Sequence, residues 1–255
     1  MKFHLMQVGR GSQPVVFLHG LFGQGRNFLS IANQLQSAAT CYMVDLPNHG
    51  HSSWTVGFTL IQQADLVADW LRDNFSHPVT LVGHSLGGKI AMLVALRHPR
   101  LVAKLVVIDI APSESETVAG FASLITALQR LPLEKLATRG QADELLAEII
   151  PDKGTRAFLL QNLRRHSGHW SWLANLDLLA DSLPEIASWP EVSGSFTEPV
   201  LWLLGGNSSY VQPEQEAAMR DRFPTTIRLV AKGAGHLVHV DRPQIVVDAI
   251  RQLLA

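Results

Sequence analysis

The spacing of apolar positions divides the 255-residue chain into three stretches. Over the first 110 residues, four short apolar runs rich in β-branched side chains, 15–19, 41–45, 79–83 and 105–110, read as strands. Between them apolar residues recur at helical spacing: Phe28, Ile31, Ala32 and Leu35, then Leu60, Ala64, Val67, Leu71 and Phe75. After the third run Leu86, Ile90, Leu93 and Val94 repeat the pattern until Pro99 stops it. Strands that are apolar almost throughout and separated by helices predict a mostly parallel sheet covered by helices on both faces.

The alternation breaks at residue 111. Across 113–189 no strand is predicted, and the apolar positions fall at helical spacing: Val118/Phe121/Ile125/Leu128, Leu145/Leu146/Ile149/Ile150 and Trp172/Leu173/Leu176/Leu179. Strands resume at 200–204 and 227–230. A last helix carries Pro243 in its first turn and runs through Ile245, Val246, Ala249, Ile250 and Leu253. The expected architecture is an α/β core, 1–112 and 190–255, with a helical cap, 113–189, inserted at a strand's C-terminal end, where such sheets bind ligands.

Composition narrows the function classes. Lys+Arg (21) nearly balance Asp+Glu (22), which gives no electrostatic reason to expect nucleic acid or an anionic membrane as partner. No run reaches the roughly 18 apolar residues of a membrane span, and the polar-interrupted start has no apolar segment of a signal peptide. Cys41 is the single cysteine, lies in an apolar stretch and is expected to be a core thiol. A cytoplasmic protein, monomeric or a small homo-oligomer, is the expectation.

The candidate chemistry starts at Gly83-His84-Ser85-Leu86-Gly87, a G-x-S-x-G between a strand and a helix. A sharp strand-to-helix turn holds such a serine in strained backbone angles, with its hydroxyl clear of the sheet and a helix N-terminus beneath it. The same residues match most of a phosphate-binding loop, Gly83-x4-Gly88-Lys89, but Ile90 stands where a Mg²⁺-binding hydroxyl is needed. Lys89 is therefore expected to be a structural or surface cation.

His19-Gly20-Leu21-Phe22-Gly23 closes the first strand in a Gly-containing turn, suited to aiming backbone N–H groups at a developing oxyanion. The expected donors are the amides of Leu21 and Leu86. Phe22 and His84, their neighbours, are the candidate substrate-contacting side chains. His236, in the Gly-rich loop 232–236 after the last strand, is the candidate general base, with His239 its competitor. A metal centre is not expected. His49-Gly50-His51 is followed by Ser53-Trp54 rather than further ligands, and His166 and His169 have no nearby partners at ligand spacing.

The segments HGLFG, DLPNHGHS, GHSLGGK, VIDIAP, LLGGNSSY and GAGH, in this order, resemble the α/β-hydrolase superfamily and, more closely, its YbfF-type esterases. The resemblance spans nearly the whole chain and matches the insertion only loosely. It implies a mostly parallel sheet with a helical cap, no cofactor, and hydrolysis of small acyl esters or thioesters. It also implies Ser85 as nucleophile, His236 as base, and a loop at 45–52 that is architectural more than catalytic.

One departure is plain. The usual superfamily acid ends a G-x-x-D after the strand at 200–204, and here that position is Ser208, in Gly205-Gly-Asn-Ser208. YbfF-type sequences share this departure. A triad acid orients the imidazole and stabilises its cation, and its replacement costs on the order of 10⁴ in kcat. Asp109, breaking the apolar run at the end of the neighbouring strand, is the expected substitute, with Ser208 close to His236 as a neutral orienter. Asp177 and Asp181 could serve only if the cap brings them over the site. The function expected is a serine esterase or thioesterase acting through an acyl-enzyme. An acyltransferase, a C–C hydrolase or a slow-turnover ligand receptor on the same scaffold is the alternative.

Overall fold

The computed structural model describes residues 1–115 and 118–255. In chain order the first half forms β1 (Leu5–Val8), β2 (Gln13–Leu18), α1 (Leu29–Leu35), β3 (Ala39–Val44), α2 (Leu60–Asn74), β4 (Val79–His84), α3 (Leu86–Arg97) and β5 (Val102–Ile108). Between this half and the next strand of the sheet lie α4 (Val118–Gln129), α5 (Arg139–Ala147), α6 (Lys153–Leu160), β6 (Leu163–His166), β7 (His169–Trp172), α7 (Leu176–Asp181) and α8 (Leu183–Ala187). The chain returns as β8 (Val200–Gly205), α9 (Glu216–Arg222), β9 (Thr226–Ala231), α10 (Val238–Asp241) and α11 (Pro243–Leu254).

The main sheet has seven strands in the order β1-β3-β2-β4-β5-β8-β9. Every neighbouring pair is parallel except β1 against β3. Strand periodicity explains why both faces are dry. Val16 and Leu18 of β2 pack into one core with Val67 and Leu71 of α2 and Ile90 and Val94 of α3. Val15 and Phe17 pack into the other with Ile31 and Leu35 of α1 and Val246 and Ile250 of α11. Each such fully buried side chain contributes about 1.5–3 kcal/mol of transfer free energy. β2 runs outward to β3, and the chain then crosses back to β4 on the other side of β2. This reversal sets a ligand crevice at the strands' C-terminal ends.

Two features differ from the expectation. The antiparallel edge strand β1 reads Leu-Met-Gln-Val, with no residue buried and Gln7 exposed, and carries too little apolar contrast to register as a strand. The stretch 113–189 is not purely helical, because β6 and β7 form an antiparallel hairpin. Its turn, Ser167-Gly168, has φ of 49° and 86°, as a two-residue turn with positive φ at both positions requires. Trp172, placed by its spacing in a helix, instead pairs with Leu163 in the hairpin, and the helix starts at Leu176. In β6 only Leu163 is buried, so no period-2 pattern was available. The backbone at Val118 is helical as expected, but its side chain, like residues 116 and 117, lies outside the described residues.

Several buried contacts fix this stretch against the sheet. Asn162 donates from Nδ2 to the Phe22 carbonyl at 2.7 Å, and Gln24 donates to Asn162 Oδ1 at 3.1 Å. Lys89, on α3, is buried. Its ammonium donates to the carbonyls of Ile186, Ala187 and Ser188 at 3.2, 2.7 and 2.7 Å, at the C-terminal end of α8. Burial lowers its pKa to about 8, against the pull of Glu114 and Glu185. The three donors of the ammonium meet three acceptors, so this cation is structural and has no N–H left for a phosphate.

Candidate active site

Ser85 sits between β4 and α3 with φ 52° and ψ −118°, a backbone region that costs a non-glycine residue about 1–3 kcal/mol. The glycines of the motif make the turn possible. A Cβ on Gly83 would lie 2.2 Å from the Gly87 carbonyl oxygen, and one on Gly87 would lie 2.3 Å from that of Leu18. The first N–H groups of a helix have no intrahelical acceptor, so the amide of Leu86, which opens α3, is a donor at the foot of Ser85.

Asp109 follows β5 and is 1% exposed. Its own φ is 53°. Its Oδ2 accepts from His236 Nδ1 at 2.8 Å and from the Ser208 hydroxyl, and its Oδ1 accepts from the Gly205 amide at 2.8 Å. A carboxylate only accepts, so the His236 proton sits on Nδ1 and the lone pair is left on Nε2. Ser208 gives its proton to Asp109 and accepts from the Tyr210 amide at 3.2 Å. The structure thus places Ser208 on the carboxylate rather than on the imidazole. Asp177 and Asp181 are exposed on α7, and Asp177 accepts from Gln129, so neither reaches this cluster.

The imidazole of His236 is held on three sides. Tyr210 stacks on it with ring centroids 3.5 Å apart and planes 12° from parallel. His84 donates from Nε2 to the His236 carbonyl at 2.9 Å and lies 4.7 Å from its ring. Burial and the neighbouring imidazoles of His239 and His236 hold the pKa of His84 well below the ordinary value, so it is neutral. His239 lies beneath, buried against Phe28 and His84, with a pKa lowered to about 3 by burial. It lines neither cleft at Ser85.

Two clefts meet at Ser85 and share Leu21, Phe121 and Tyr210. One, of about 390 Å³, is walled by Leu86, Ile110, Leu183, Ile186 and Ala187. The other, of about 620 Å³, contains Gly20, Phe22, His84 and His236 with Leu124, Phe158 and Leu159. Of the aromatic residues in 113–189, Phe121 and Phe158 line these clefts. Trp170 and Trp172 belong to the hairpin, and Trp170 donates to the Leu136 carbonyl at 2.9 Å.

The loop preceding the site is braced from below. His19 donates from Nδ1 to the Gly20 carbonyl and accepts the Leu46 amide at Nε2. Buried Asp45 accepts the Gly25 amide at 2.7 Å and the His51 amide at 2.9 Å. Burial pushes the Asp45 pKa up, but those amides and the imidazoles of His19 and His4 hold it below its ordinary value. His49 turns inward to the Pro47 carbonyl, whereas His51 stays half-exposed. His166 and His169 face each other across the exposed hairpin. The sequence reading left Tyr210 without a role. It is one of two tyrosines, in a loop with no periodicity, and its place two residues after Ser208 is the one signal the sequence holds for it.

The alpha/beta hydrolase family model matches residues 15–249. The sn-1-specific diacylglycerol lipase ABHD11 of Mus musculus is 36% identical over 261 residues, covering 100% of this chain and 85% of its own. Esterase YbfF of Escherichia coli K12 is 33% identical over 244 residues, 95% of this chain and 93% of its own. Among solved structures, a marine microorganism esterase superposes with a TM-score of 0.95 at 30% identity, over 98% of both chains. Among the described residues no helix is long and apolar enough to cross a membrane.

Proposed function

The chain belongs to the alpha/beta hydrolase family, and from that premise we propose that it is a serine esterase cleaving small acyl esters or thioesters through an acyl-enzyme. The observation that carries the proposal is the coincidence, in one cleft, of strained Ser85 with an imidazole whose Nδ1 is committed to buried Asp109. Kinship with named esterases and a lipase supports the same chemistry.

Ser85 attacks the acyl carbon as His236 Nε2 takes its proton. Asp109 holds the ring in that tautomer and stabilises the imidazolium. The Leu21 and Leu86 amides receive the oxyanion. His236 then returns the proton to the departing alcohol or thiol, and a water activated by the same nitrogen releases the acid. Ser208, on Asp109, fixes the carboxylate, and Tyr210 fixes the ring.

The proton delivery also orients the substrate. The leaving group must lie on the His236 side, in the cleft of about 620 Å³ with Phe22 and His84. The acyl chain then enters the smaller cleft against Ile110, Leu183 and Ile186. Residues 113–189 act as the cap, because Phe121 lines both clefts, Phe158 the larger and α8 the smaller.

The test is covalent labelling by a fluorophosphonate probe, together with turnover of a graded series of acyl esters and acyl-CoAs. Labelling and turnover lost in Ser85→Ala are expected. An unlabelled wild-type protein would overturn the serine-hydrolase assignment and favour a ligand receptor.

A further inference from the structure

His51 was left over from the His-Gly-His motif, and its surroundings give it partners far away in sequence. His4, entering β1, donates from Nδ1 to Asp45 Oδ2 at 2.9 Å, and His51 Nδ1 lies 3.7 Å from the same oxygen. The two imidazoles are 4.9 Å apart between ring centroids. One donor atom from each of the three residues falls within a sphere in which no pair exceeds 4.8 Å. We propose that His4, Asp45 and His51 form a binding site for a divalent transition-metal ion of the zinc type, separate from the hydrolytic site.

The geometry is close to that of an occupied site. Zinc bonds of about 2.0–2.1 Å to nitrogen and carboxylate oxygen set ligand atoms on a tetrahedron with edges of roughly 3.3 Å. The two His–Asp separations, 2.9 and 3.7 Å, straddle that length, so rotamer adjustments of a few tenths of an ångström bring both pairs into range, and the two imidazole nitrogens, at most 4.8 Å apart, have to close to about the same edge. The carboxylate is already fixed: its side chain is 5% exposed, and the Gly25 and His51 amides hold its two oxygens. Outer contacts of this kind orient the ligands of metal sites.

The imidazoles are 42% and 44% exposed, so an ion can enter and a water can take the fourth position. Two neutral imidazoles and one carboxylate suit zinc, copper, nickel or cobalt and suit magnesium or calcium poorly. Besides these rotamer adjustments, binding would require that His4 move its proton from Nδ1 to Nε2. The ion would then tie edge strand β1 to the loop that braces His19 and Gly25. It would act on the stability of that loop, and the reaction at Ser85 does not use it.

Calorimetric titration of untagged, chelator-stripped full-length protein with Zn²⁺ tests the site. One equivalent should bind, and a 100-fold excess over the dissociation constant should raise Tm by about 5–10 °C. His4→Ala and His51→Ala should each weaken this binding by at least about tenfold, and His236→Ala should leave it unchanged. Absence of one-to-one binding, or binding unaffected in the His4→Ala/His51→Ala double variant, would overturn the proposal. The metal-free His51→Ala variant should keep the wild-type Tm, and His4→Ala, which gives up its hydrogen bond to Asp45, should lose only a few degrees, about 3–10 °C, without losing its cooperative transition, which separates loss of ligation from loss of fold. Ser85 labelling is read on the same proteins, so the two proposals succeed or fail independently.

Discussion

Replacing Asp109 by Asn preserves shape and removes charge, and the hydrogen bonds around it set the consequence. Asn can keep an oxygen toward the Gly205 amide, but its NH₂ then faces both the Ser208 hydroxyl and His236 Nδ1. Ser208 can rotate and accept. His236 can accept only by shifting its proton to Nε2, the nitrogen that must receive the serine proton. The ring is then in the wrong tautomer, and its cation has no counter-charge. The expected loss in kcat is on the order of 10⁴, or about 5.5 kcal/mol of transition-state stabilisation.

Stability should change much less. Weakened charge-assisted hydrogen bonds at constant volume cost about 1–2 kcal/mol, a fall in Tm of about 2–8 °C. Ser208→Ala removes one donor and leaves the Asp109–His236 pair in place, so it should cost about tenfold at most. Steady-state and burst kinetics on a p-nitrophenyl ester, with Tm measured in parallel, separate these outcomes. An Asp109→Asn enzyme within tenfold of wild type, beside a Ser208→Ala enzyme that has lost more, would refute the assignment of the acid.

Two further perturbations probe groups outside the reaction. Lys89→Met leaves the Ile186 and Ser188 carbonyls without a donor at about 1–3 kcal/mol each, while the Ala187 carbonyl keeps the Ser115 amide, and this is offset by about 3.4 kcal/mol for no longer burying an ammonium whose pKa falls from 10.5 to about 8. A net loss of about 1 kcal/mol, seen as a Tm lower by about 2–4 °C, is expected, and an unchanged Tm would show that those two carbonyls find other donors. Acid should unfold the protein early. Burial lowers the pKa values of His49 and His239 from 6.5 to about 3, so the unfolded chain takes up protons below pH 6.5 that the folded chain refuses. This stabilisation is complete above pH 6.5 and is lost as pH falls toward 3, at about 1.4 kcal/mol per pH unit per histidine, with His19 and His84 shifted in the same direction. Urea midpoints at pH 7, 6 and 5 measure it, and a flat series would contradict neutral burial of these rings.

The parallel core was legible because its strands are buried on both faces, so Val15, Val16, Phe17 and Leu18 announce a strand without any alternation. Ser85 and Asp109 were legible for a related reason: each interrupts or ends such a run with a polar group that burial must justify. Elements whose stability comes from partners rather than from their own pattern left no trace. β1 borrows its order from β3, and the hairpin of β6 and β7 shows one buried leucine in its first strand. The stacking of Tyr210 on His236 and the triple-carbonyl seat of Lys89 join positions 26 and about 97 residues apart, a distance over which no periodicity can speak.

The place of Asp109 has a bearing on how this protein can change over evolutionary time. An acid carried on the loop after β8 ties that loop's length and sequence to proton chemistry. Here the carboxylate belongs to the end of β5, clamped between β4 and β8 in the middle of the sheet. The loop beyond Gly205 is left holding only a hydroxyl and the Tyr210 ring, which also forms part of both cleft walls. Insertions or substitutions beyond Ser208 can therefore reshape what the clefts admit while the histidine keeps its partner. On the proposed mechanism the carboxylate is inherited with the rigid sheet, and selectivity is free to drift at the rim beside it.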